Sequence, residues 1–320
     1  IDVHVYEQAA EYRDVGGHLT MDTAAIEVLA RWGLDVPFNR VACELAGMEI
    51  KDLETGKVIV TMPFPDLGAL GVKDDKRMGT RVCHAFLRSD YLKLLTDRLP
   101  ADRLHTGHKL TALSGDAQQA TATFENGAQV KASVMLLADG VRSMARAMFD
   151  NAPAVPAGHT VLRTLCSAEL LPADMPNDRM RFWDGWRFGD KPNNVGVHAL
   201  TVPVRDRRFV SIDLQFMGGD QLEDCNPWDL PYARVMQRYP AELDPLLKKM
   251  LDARLEPITA HALWDRPVAT QWVDQRIAIM GDAAHSMRPN LGQGACQSIH
   301  DAGELVAQFA RHGLGHEALK

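Results

Sequence analysis

The chain has 320 residues, of which 46% are hydrophobic and 24% are charged, and its formal net charge is −7. These values are ordinary for a globular enzyme with a sizeable core and favour two intertwined domains over one. The acidic balance argues against a nucleic-acid partner, no apolar run approaches the roughly 20 residues that a membrane helix needs, and no signal peptide is visible. We therefore expect a cytoplasmic protein without an integral membrane segment.

The cysteines and histidines give no sign of a disulfide framework or of a metal site. The five cysteines are scattered, odd in number and free of CxxC spacing, and the twelve histidines contain no HExxH pair. This usage is typical of reduced thiols in a protein that binds no metal.

The first predicted strand, Asp2 to Tyr6, is followed by the acidic residue Glu7. In dinucleotide-binding folds such a residue binds ribose hydroxyls, and a glycine-rich GxGxxG turn lies about 20 residues before it. Only six residues precede Glu7, so we expect the first strand and the phosphate-binding turn of such a fold to be missing from this chain. A solvated surface charge is the alternative interpretation of Glu7.

Local signals before residue 100 predict a loop, two helices and a hairpin. The loop at Gly16 to Thr20 leads to a helix over Met21 to Trp32, with Trp32 on its inward face. Alternating residues predict a hairpin over Met48 to Pro63. Ser89 is the predicted N-cap of a further helix, and Arg88 immediately precedes it.

A three-strand meander is predicted over His108 to Met135, because alternating segments are separated by turn residues. Its Asn126-Gly127 turn is typical of a hairpin in which both central residues take positive φ. The buried strand that follows ends at the run Asp139-Gly140-Val-Arg-Ser143-Met-Ala-Arg146. Gly140 permits a tight turn there, and Ser143 can cap the helix that follows.

The region from Thr160 to Ala262 is predicted to be rich in strands rather than in βαβ units, with two helices near its end. Its apolar and aromatic side chains suit a pocket for a small aromatic ligand, and ordinary core packing is the alternative for each of them. They are Met180, Phe182, Trp183, Trp186, His198 and Phe216. Arg181, Arg187 and His198 are candidates to bind a carboxylate or a phenolate, with exposed salt bridges as the alternative.

Near the end of the chain, Arg276 to Met280 is predicted to form a short buried strand, and Gly281-Asp282 closes it. Pro289 and Gly292-Gln293-Gly294 then break the chain and restart it as a helix. A glycine-rich helix start leaves backbone N–H groups unpaired and favours an anion or an electron-rich carbonyl. Asp282 can accept hydrogen bonds from a polyol at the strand's carboxyl end, where ligands of open α/β sheets bind; capping of the next segment is the alternative. The inward face of the helix is predicted to consist of Ala295, Ile299, Ala302, Val306 and Phe309.

The sequences of two of these runs resemble the motifs of one family, the FAD-dependent aromatic hydroxylases. The run Gly281-Asp282-Ala-Ala-His285, followed by Pro289 and by Gly292-Gln-Gly-Ala-Cys296, closely resembles that family's GD motif. Asp139 to Arg146 resembles its DGxxSxxR motif. These proteins are single-component flavoprotein monooxygenases, such as p-hydroxybenzoate, salicylate and 6-hydroxynicotinate hydroxylases. Cys296 stands where many relatives carry Asn, which should not disturb contacts made by the backbone.

The resemblance implies a set of residues that hold FAD. Asp282 would bind the ribitol, the backbone at the following helix start would face the N1/C2 carbonyl edge of the flavin, and Arg88 would reach the pyrophosphate unless it is an ordinary surface arginine. The implied cofactor-binding residues are Glu7, Arg88, Leu110, Asp139, Gly140, Gly281, Asp282, Pro289, Gly292, Gln293, Gly294 and Ala295. In relatives the loop at Gly16 to Thr20 passes close to the flavin, so His18 could approach the flavin ring or make no contact with it.

The fold that the resemblance implies is α/β: a Rossmann-like FAD-binding domain interleaved with a mixed β-sheet substrate domain. We assign residues 1–46, 84–150 and 264–320 to the FAD-binding domain. Residues 47–83 and 151–263 are assigned to the substrate domain.

The implied activity is hydroxylation of a small aromatic or N-heteroaromatic substrate. NAD(P)H, bound transiently, would reduce FAD, and O₂ would add at the flavin C4a to give the hydroperoxide that hydroxylates the ring. Candidate pocket residues are Arg181, His198, Phe216 and Pro289, no side chain identifies itself as the catalytic base, and we expect a monomer or a homodimer. Two alternatives stay open: a flavin-dependent reductase or halogenase of the same fold, although no WxWxIP sequence is present, and a non-catalytic fragment unable to hold FAD.

Overall fold

The computed structural model describes residues 1–11, 17–71, 82–150, 152–185, 196–217 and 225–320. Gly16, Trp186 and Arg187, which were named above, lie outside these ranges, and so does the side chain of Phe216. What the sequence predicts for them stays a prediction.

The secondary structure is mixed. The strands are β1 (Val5–Tyr6), β2 (His18–Asp22), β3 (Cys43–Glu44), β4 (Gly47–Asp52), β5 (Val58–Pro63), β6 (Cys83–Leu87), β7 (Leu104–His105), β8 (Leu110–Gly115), β9 (Ala120–Phe124), β10 (Gln129–Ala132), β11 (Met135–Leu137), β12 (Val155–Ser167), β13 (Arg179–Asp184), β14 (Val197–Val204), β15 (Phe209–Met217), β16 (Thr259–Asp265), β17 (Val273–Asp274) and β18 (Ile277–Ile279). The helices are α1 (Thr23–Arg31), α2 (Asp35–Asn39), α3 (Arg88–Thr96), α4 (Tyr232–Met236), α5 (Pro245–Asp252), α6 (Asp282–His285), α7 (Gly294–His312) and α8 (His316–Leu319). Within the described ranges, no helix combines the length and the apolar character needed to cross a bilayer.

The chain forms two compact units. The first comprises Ile1–Asp14, Lys93–Val155 and Trp264–Lys320, and the second comprises Val15–Leu92 and Pro156–Leu263. Residues 15–46 and 84–92 thus fall in the second unit, whereas the sequence assignment placed them in the FAD-binding domain. The physical reason is that β2, β6 and β3 form a sheet of their own, whose Ala85 packs against Val202 of β14.

The first unit contains two parallel strand pairs and a separate meander. β1 pairs with β7, β11 pairs with β18, and β17 adds to β18 in the antiparallel sense. The meander has the order β10-β9-β8, which confirms the predicted three strands. Small and branched side chains around Ile277 and Ile279 form the core between these strands and α6.

The turn of the meander differs from the prediction. Of its two central residues only Gly127 has positive φ, at 84°. The Gly127 N–H donates to the Phe124 carbonyl, and the Phe124 N–H donates to the Ala128 carbonyl, both at 2.9 Å. The connection is therefore a longer hairpin loop with a single left-handed glycine, and Asn126 contributes its side-chain oxygen, which accepts from the Ala128 N–H.

The second unit is built on a seven-stranded mixed sheet with the order β16-β12-β15-β14-β13-β4-β5. This confirms the predicted strand-rich region and the predicted hairpin, which is β4-β5. One face of the sheet packs on α4 and α5 through a large apolar core that includes Trp183, Leu162 and Leu214. The other face is covered by the β2-β6-β3 sheet, where Leu87 packs against Leu165.

Two predicted helix faces were wrong in part. Trp32 is 37% exposed, because α1 ends at Arg31 and Trp32 is its C-cap residue. Val306 of α7 is 52% exposed, and the fully buried residues of this helix are Cys296 and Ile299 in its first two turns. The helix itself was predicted correctly, but its buried residues lie in the first two turns rather than along the whole predicted face.

The predicted N-cap at Ser89 was also wrong. The helix α3 begins one residue earlier, at Arg88, so Ser89 lies inside its first turn. The Ser89 hydroxyl is buried and has no hydrogen-bond partner among the described residues.

Candidate functional site

The two predicted motifs leave the same edge of the first unit's parallel sheet. In the β11-β18 pair, Leu137 is in register with Ile279, and the Met280 N–H donates to the Leu137 carbonyl at 3.0 Å. Asp139 and Gly281 each follow their strand's last paired residue by two positions. The two turns are therefore neighbours at the carboxyl end of the strands, where ligands of open α/β sheets bind.

The first motif forms the predicted tight turn. Gly140 has φ of 82°, and its carbonyl accepts from the Ser143 N–H at 2.8 Å. The predicted cap at Ser143 was wrong by one residue: the short 3-10 helix Ala145–Met148 has Met144 as its N-cap, although the Ser143 hydroxyl accepts from the Arg146 N–H at 3.1 Å in the first turn. The Asp139 carboxylate accepts from the Met144 N–H at 3.1 Å, which fixes the turn around an exposed carboxylate.

Arg146 connects the first motif to the second, a role that sequence reasoning did not assign. Its side chain is fully buried. Nη1 donates to the carbonyls of Ala283 at 2.9 Å and Ala284 at 3.2 Å, and Nη2 donates to the Pro267 carbonyl at 2.6 Å. Asp150 pairs with the same guanidinium at 2.7 Å, and this contact holds the pKa of the Asp150 carboxyl below its usual value. The guanidinium therefore fixes α6, the helical turn that begins with Asp282.

The Gly281 turn is held from its other side by α7. Gly281 has φ of 56° and ψ of −140°, a conformation that residues with a side chain rarely adopt. Its N–H donates to Asp301 Oδ2 at 2.8 Å, and the same oxygen lies 2.7 Å from His285 Nε2. A Cβ on residue 281 would lie 2.9 Å from the Ser298 hydroxyl oxygen. Asp301, which sequence reasoning did not single out as a site residue, lies one turn after Ser298 on the same helix face, and that spacing is the only local signal for its role.

Asp282 is the first residue of α6, and its carboxylate makes no hydrogen bond to any described residue. The residue is exposed to solvent as a whole, but protein atoms crowd one side of its carboxyl group. This partial burial raises the pKa of Asp282, while the nearby His285 lowers it. The N-cap of α6 is Gly281, without a side-chain cap bond, so the Asp282 carboxylate does not cap this helix. It is an acceptor available to a ligand.

The start of α7 lies beside this carboxylate. A Cβ on Gly294 would be 3.9 Å from Asp282 Oδ1. The preceding 3-10 helix, which begins at the exposed Pro289, ends at Gly292 in the left-handed region, with φ of 63° and ψ of 18°. The N-cap residue Gln293 makes no side-chain cap bond, and the first turn of α7 carries no acidic residue. Its N–H groups can therefore bind an acceptor atom of a ligand.

Two predicted cofactor residues lie on other strands of the first unit. Glu7 follows β1, and its Oε1 accepts from the Ala9 N–H at 2.8 Å, so the carboxylate caps the turn after its own strand. Leu110 begins β8 and packs against the apolar core of this unit. Their contacts with the adenosine part of a cofactor stay predictions.

The remaining predicted site residues lie in the second unit. Arg88 is exposed, and its backbone N–H donates to the Gly17 carbonyl at 2.9 Å. Arg181 is directly opposite Glu49 in the parallel pair β13-β4, its side chain is 3% exposed, and Nε lies 3.2 Å from Glu49 Oε2. His198 is buried, stacks on Phe182 with ring centroids 5.1 Å apart, and has its pKa lowered mainly by burial. The substrate-binding roles of Arg181 and His198 stay predictions.

The residues around Asp282 fit FAD. A carboxylate without a hydrogen-bond partner among the described residues suits the hydroxyls of the ribitol, and a helix start without a side-chain cap beside it suits the electron-rich carbonyl edge of the flavin ring. The turn that carries the carboxylate is held in place by contacts from Arg146 and Asp301. The fold and this site define a flavoprotein.

Comparison with known proteins gives the family. The family model described as "FAD binding domain" matches residues 1–318, and the chain belongs to this family, that of the FAD-dependent aromatic hydroxylases. The predicted family, the α/β fold class and the use of FAD are confirmed.

The named relatives are similar over nearly the whole chain. The chain is 26% identical over 322 residues to 3-amino-4-hydroxybenzoate 2-monooxygenase of Streptomyces cremeus, covering 100% of this chain and 76% of that protein. It is 24% identical to 6-hydroxynicotinate 3-monooxygenase of Bordetella bronchiseptica, covering 99% and 79%. Among solved structures, Klebsiella pneumoniae HpxO complexed with FAD and uric acid is similar with a TM-score of 0.81 and 21% identity, covering 99% of this chain and 76% of that chain. At this identity the structural likeness shows the fold.

Proposed function

We propose that this protein is an FAD-dependent monooxygenase that hydroxylates a small aromatic or N-heteroaromatic ring, with NAD(P)H as the reductant and O₂ as the source of the hydroxyl oxygen. One observation carries this proposal: the Asp282 carboxylate, which no described residue hydrogen-bonds, lies next to the start of α7, where no side-chain cap is present, at the edge where two parallel strands end. When bound, FAD supplies the redox and oxygen chemistry.

The protein's own residues bind and orient the cofactor in this proposal. Asp282 accepts hydrogen bonds from the ribitol hydroxyls. The N–H groups of Gly294 and Ala295 stabilise negative charge at the carbonyl edge of the flavin ring, because a helix N-terminus carries a partial positive charge. Arg146 and Asp301 do not touch the cofactor and act as positioning residues for the turn that carries Asp282.

The substrate class is supported by the second unit and by the relatives. The second unit offers the largest sheet of the described chain, with aromatic and basic side chains on it. The named relatives act on an aminohydroxybenzoate and a hydroxynicotinate, both small oxygenated rings. A small, oxygenated aromatic or heteroaromatic ring is the class that fits these observations. A monomeric or homodimeric state stays a prediction.

The proposal is tested by reconstituting the purified chain with FAD and supplying NADH or NADPH. We expect a yellow protein that oxidises the nicotinamide, consumes O₂ and, with a suitable phenol or hydroxy-heteroaromatic ring present, incorporates label from isotopic O₂ into the product. If the protein releases peroxide with every ring tested and incorporates label into none of them, it is an NAD(P)H oxidase, and the proposal is contradicted. A protein that takes up no FAD would contradict it at the first step.

A further inference from the structure

Two charged side chains face each other on neighbouring inner strands of the large sheet of the second unit. In the antiparallel pair β12-β15, Arg163 is in register with Asp213. The flanking residues Leu162 and Leu214 point to the other face, where they are fully buried in the apolar core. Asp213 is itself 5% exposed. Arg163 and Asp213 therefore lie on the face of the sheet opposite to the one that packs on the apolar core.

The charged pair is not arranged as a structural ion pair. Arg163 Nε lies 3.5 Å from Asp213 Oδ2, which is too long for a good hydrogen bond. Asp213 Oδ1 lies 3.6 Å from His18 Nδ1, and both side chains are 8% exposed. Both Arg163 Nε and Asp213 Oδ1 are buried without a hydrogen-bond partner among the described residues.

A second charged pair in the same unit shows what a structural arrangement looks like. Lys51 Nζ lies 2.9 Å from Asp244 Oδ2. The same carboxylate accepts from the indole N–H of Trp183 at 2.6 Å and from the Leu246 N–H at 2.9 Å. Buried polar groups are normally satisfied in this way, and each exception calls for an explanation. The open donor and acceptor at Arg163 and Asp213 are explained if a ligand completes them.

Arg163 and Asp213 are the charged members of this cluster. Burial lowers the pKa of His18, and burial together with Arg163 lowers the pKa of His261 to about 4, so both imidazoles favour the uncharged form at neutral pH. Arg88 also lowers the pKa of His261 and therefore lies near the cluster. His18 Nδ1 lies 3.3 Å from the Ser211 hydroxyl, which orients the ring. The facing pair itself offers a donor beside an acceptor.

The backbone of Gly17 also packs closely against the side chain of Arg163. A Cβ on Gly17 would lie 2.8 Å from Arg163 Cδ and 2.9 Å from Arg163 Nε. The backbone of Gly17 can approach this closely only because the residue has no side chain. Arg163 is thereby held in one place, as a specificity-determining contact requires.

We propose that Arg163, Asp213 and His18, which we call the donor–acceptor cluster, bind the ring substrate through an edge that carries an oxo or hydroxyl oxygen next to an exchangeable N–H or O–H. The inference rests on the proposed function and names its substrate class: a neutral hydroxy- or oxo-substituted N-heteroaromatic ring. Arg163 donates to the ring oxygen, and Asp213 accepts from the adjacent N–H or O–H. A benzoate-type carboxylate suits the cluster less well, because its full negative charge would meet the Asp213 carboxylate.

The test uses the full chain with FAD bound and two probes, 2-hydroxypyridine as the neutral donor–acceptor ring and benzoate as the anionic ring, each titrated by calorimetry. The first variant is the double substitution Arg163→Met and Asp213→Leu. Replacing both charges by apolar groups of similar size leaves no unpaired partner, so the fold is retained. We expect 2-hydroxypyridine to bind the double variant about tenfold more weakly or worse, with unchanged FAD affinity and thermal midpoint. Arg163→Lys should lose part of this affinity, because Lys keeps the charge but not the fork of donors.

The matched control is Arg179→Met. Arg179 is also a partly buried arginine of the same sheet. It is ion-paired with Asp178 at 2.8 Å and with Glu49 at 3.4 Å, and it does not belong to the donor–acceptor cluster. Its loss should leave 2-hydroxypyridine binding within about twofold. Equal weakening by the control, no weakening in the double variant, or tighter binding of benzoate than of 2-hydroxypyridine by the unchanged protein would each overturn the inference.

Failure of the inference and failure of the proposed function are distinguishable. A protein that takes up FAD and hydroxylates a ring, but binds it independently of Arg163 and Asp213, overturns the inference alone. A protein that takes up no FAD overturns the proposed function, whereas the same variants, titrated without FAD, still decide whether the donor–acceptor cluster holds the ring.

Discussion

Arg146 and Ala283 lie 137 positions apart in the sequence, and Arg146 Nη1 donates a hydrogen bond of 2.9 Å to the Ala283 carbonyl. The same guanidinium reaches the carbonyls of Ala284 and Pro267. Because the guanidinium and the carbonyls of Ala283 and Ala284 are buried, neither of these two carbonyls can exchange its donor for water without opening the structure. The two halves of the candidate flavin site are therefore one folded element, although they are far apart along the chain.

Replacing Arg146 should destabilise the first unit. Arg146→Met leaves two buried carbonyls, those of Ala283 and Ala284, without their donor, and an unsatisfied buried group costs about 1–3 kcal/mol, so we expect the free energy of unfolding to fall by about 2 kcal/mol or more in urea denaturation. Arg276→Met is the control, because its guanidinium also donates to a carbonyl, that of Ala117 at 2.9 Å, but at an exposed position. A control that costs as much as Arg146→Met would mean that burial is not the cause.

Removing the Asp282 carboxylate should weaken FAD binding. Asp282→Ala deletes a charged acceptor for the ribitol, and a hydrogen bond to a charged group contributes about 1.5–3 kcal/mol, which corresponds to a roughly 10- to 150-fold weaker affinity in a fluorescence titration of the apoprotein. Stability should change little, since no described residue hydrogen-bonds to this carboxylate. Asp102→Ala, at a side chain 77% exposed in the same unit, should bind FAD like the unchanged protein, and an unaltered affinity of Asp282→Ala would place the ribitol elsewhere.

A methyl group on Gly281 should strain the turn and also collide with α7. The residue has positive φ, and its Cβ would lie 2.9 Å from the Ser298 hydroxyl oxygen. Gly127→Ala is a matched control, because Gly127 also has positive φ but no atom within 4 Å of the added carbon. We expect about 1 kcal/mol of destabilisation at residue 127 and distinctly more at residue 281.

The collision can be separated from the backbone strain by a second substitution. Added to Gly281→Ala, Ser298→Ala should restore part of the lost free energy of unfolding, so that only the loss caused by the backbone strain remains. Added to Gly127→Ala, it should restore none. A double-mutant cycle by urea denaturation measures this coupling. Additive effects at residues 281 and 298 would show that the contact with α7 does not limit this turn.

His261 should make the protein less stable in mild acid. Its pKa in the folded state is lowered to about 4, chiefly by burial, while the unfolded chain has the ordinary value of about 6.5. The folded state therefore favours the neutral ring, and stability is lost as the pH falls below about 6.5, because only the unfolded state takes up the proton. Between pH 7 and pH 5 this histidine alone should remove on the order of 1 kcal/mol, because solvent screening at a partly exposed ring reduces the effect of the shift.

The contribution of His261 is measured by comparing urea denaturation at pH 7 and pH 5 in the unchanged protein and in His261→Gln. The variant should lose less stability on acidification, by about the same 1 kcal/mol. His18, whose pKa is also lowered by burial, keeps some pH dependence in the variant. Identical pH dependence of the two proteins would contradict the assignment.

The sequence predicted those features whose signals are local. The strand-rich composition of Thr160 to Ala262 predicted the strands of the large sheet, and the motifs at Asp139 and Gly281 predicted the two turns and their order. Register could not be predicted in this way. Arg163 faces Asp213 because of the register between β12 and β15, and no short-range sequence pattern specifies that register.

Contacts between distant segments were the second kind of feature that sequence reasoning missed. Arg146 was recognised as a fixed motif position, but its partners are backbone carbonyls, which every residue possesses and which therefore leave no mark in a sequence. Asp301 was not singled out as a site residue, because its bond to the Gly281 N–H becomes visible only with the turn and α7 in place. The compact unit to which β6 belongs depends in the same way on the sheet that it packs against.

The dependence of Arg146 on carbonyls at residues 267, 283 and 284 has a consequence for how the protein is made. During translation the guanidinium emerges long before these three carbonyls, so this arginine stays hydrated, with Asp150 beside it, while more than 100 further residues are synthesised. The Asp139 turn cannot be locked to the α6 turn until residue 284 has been synthesised. Nascent chains stalled before residue 267 should therefore leave the Arg146 segment open to proteases.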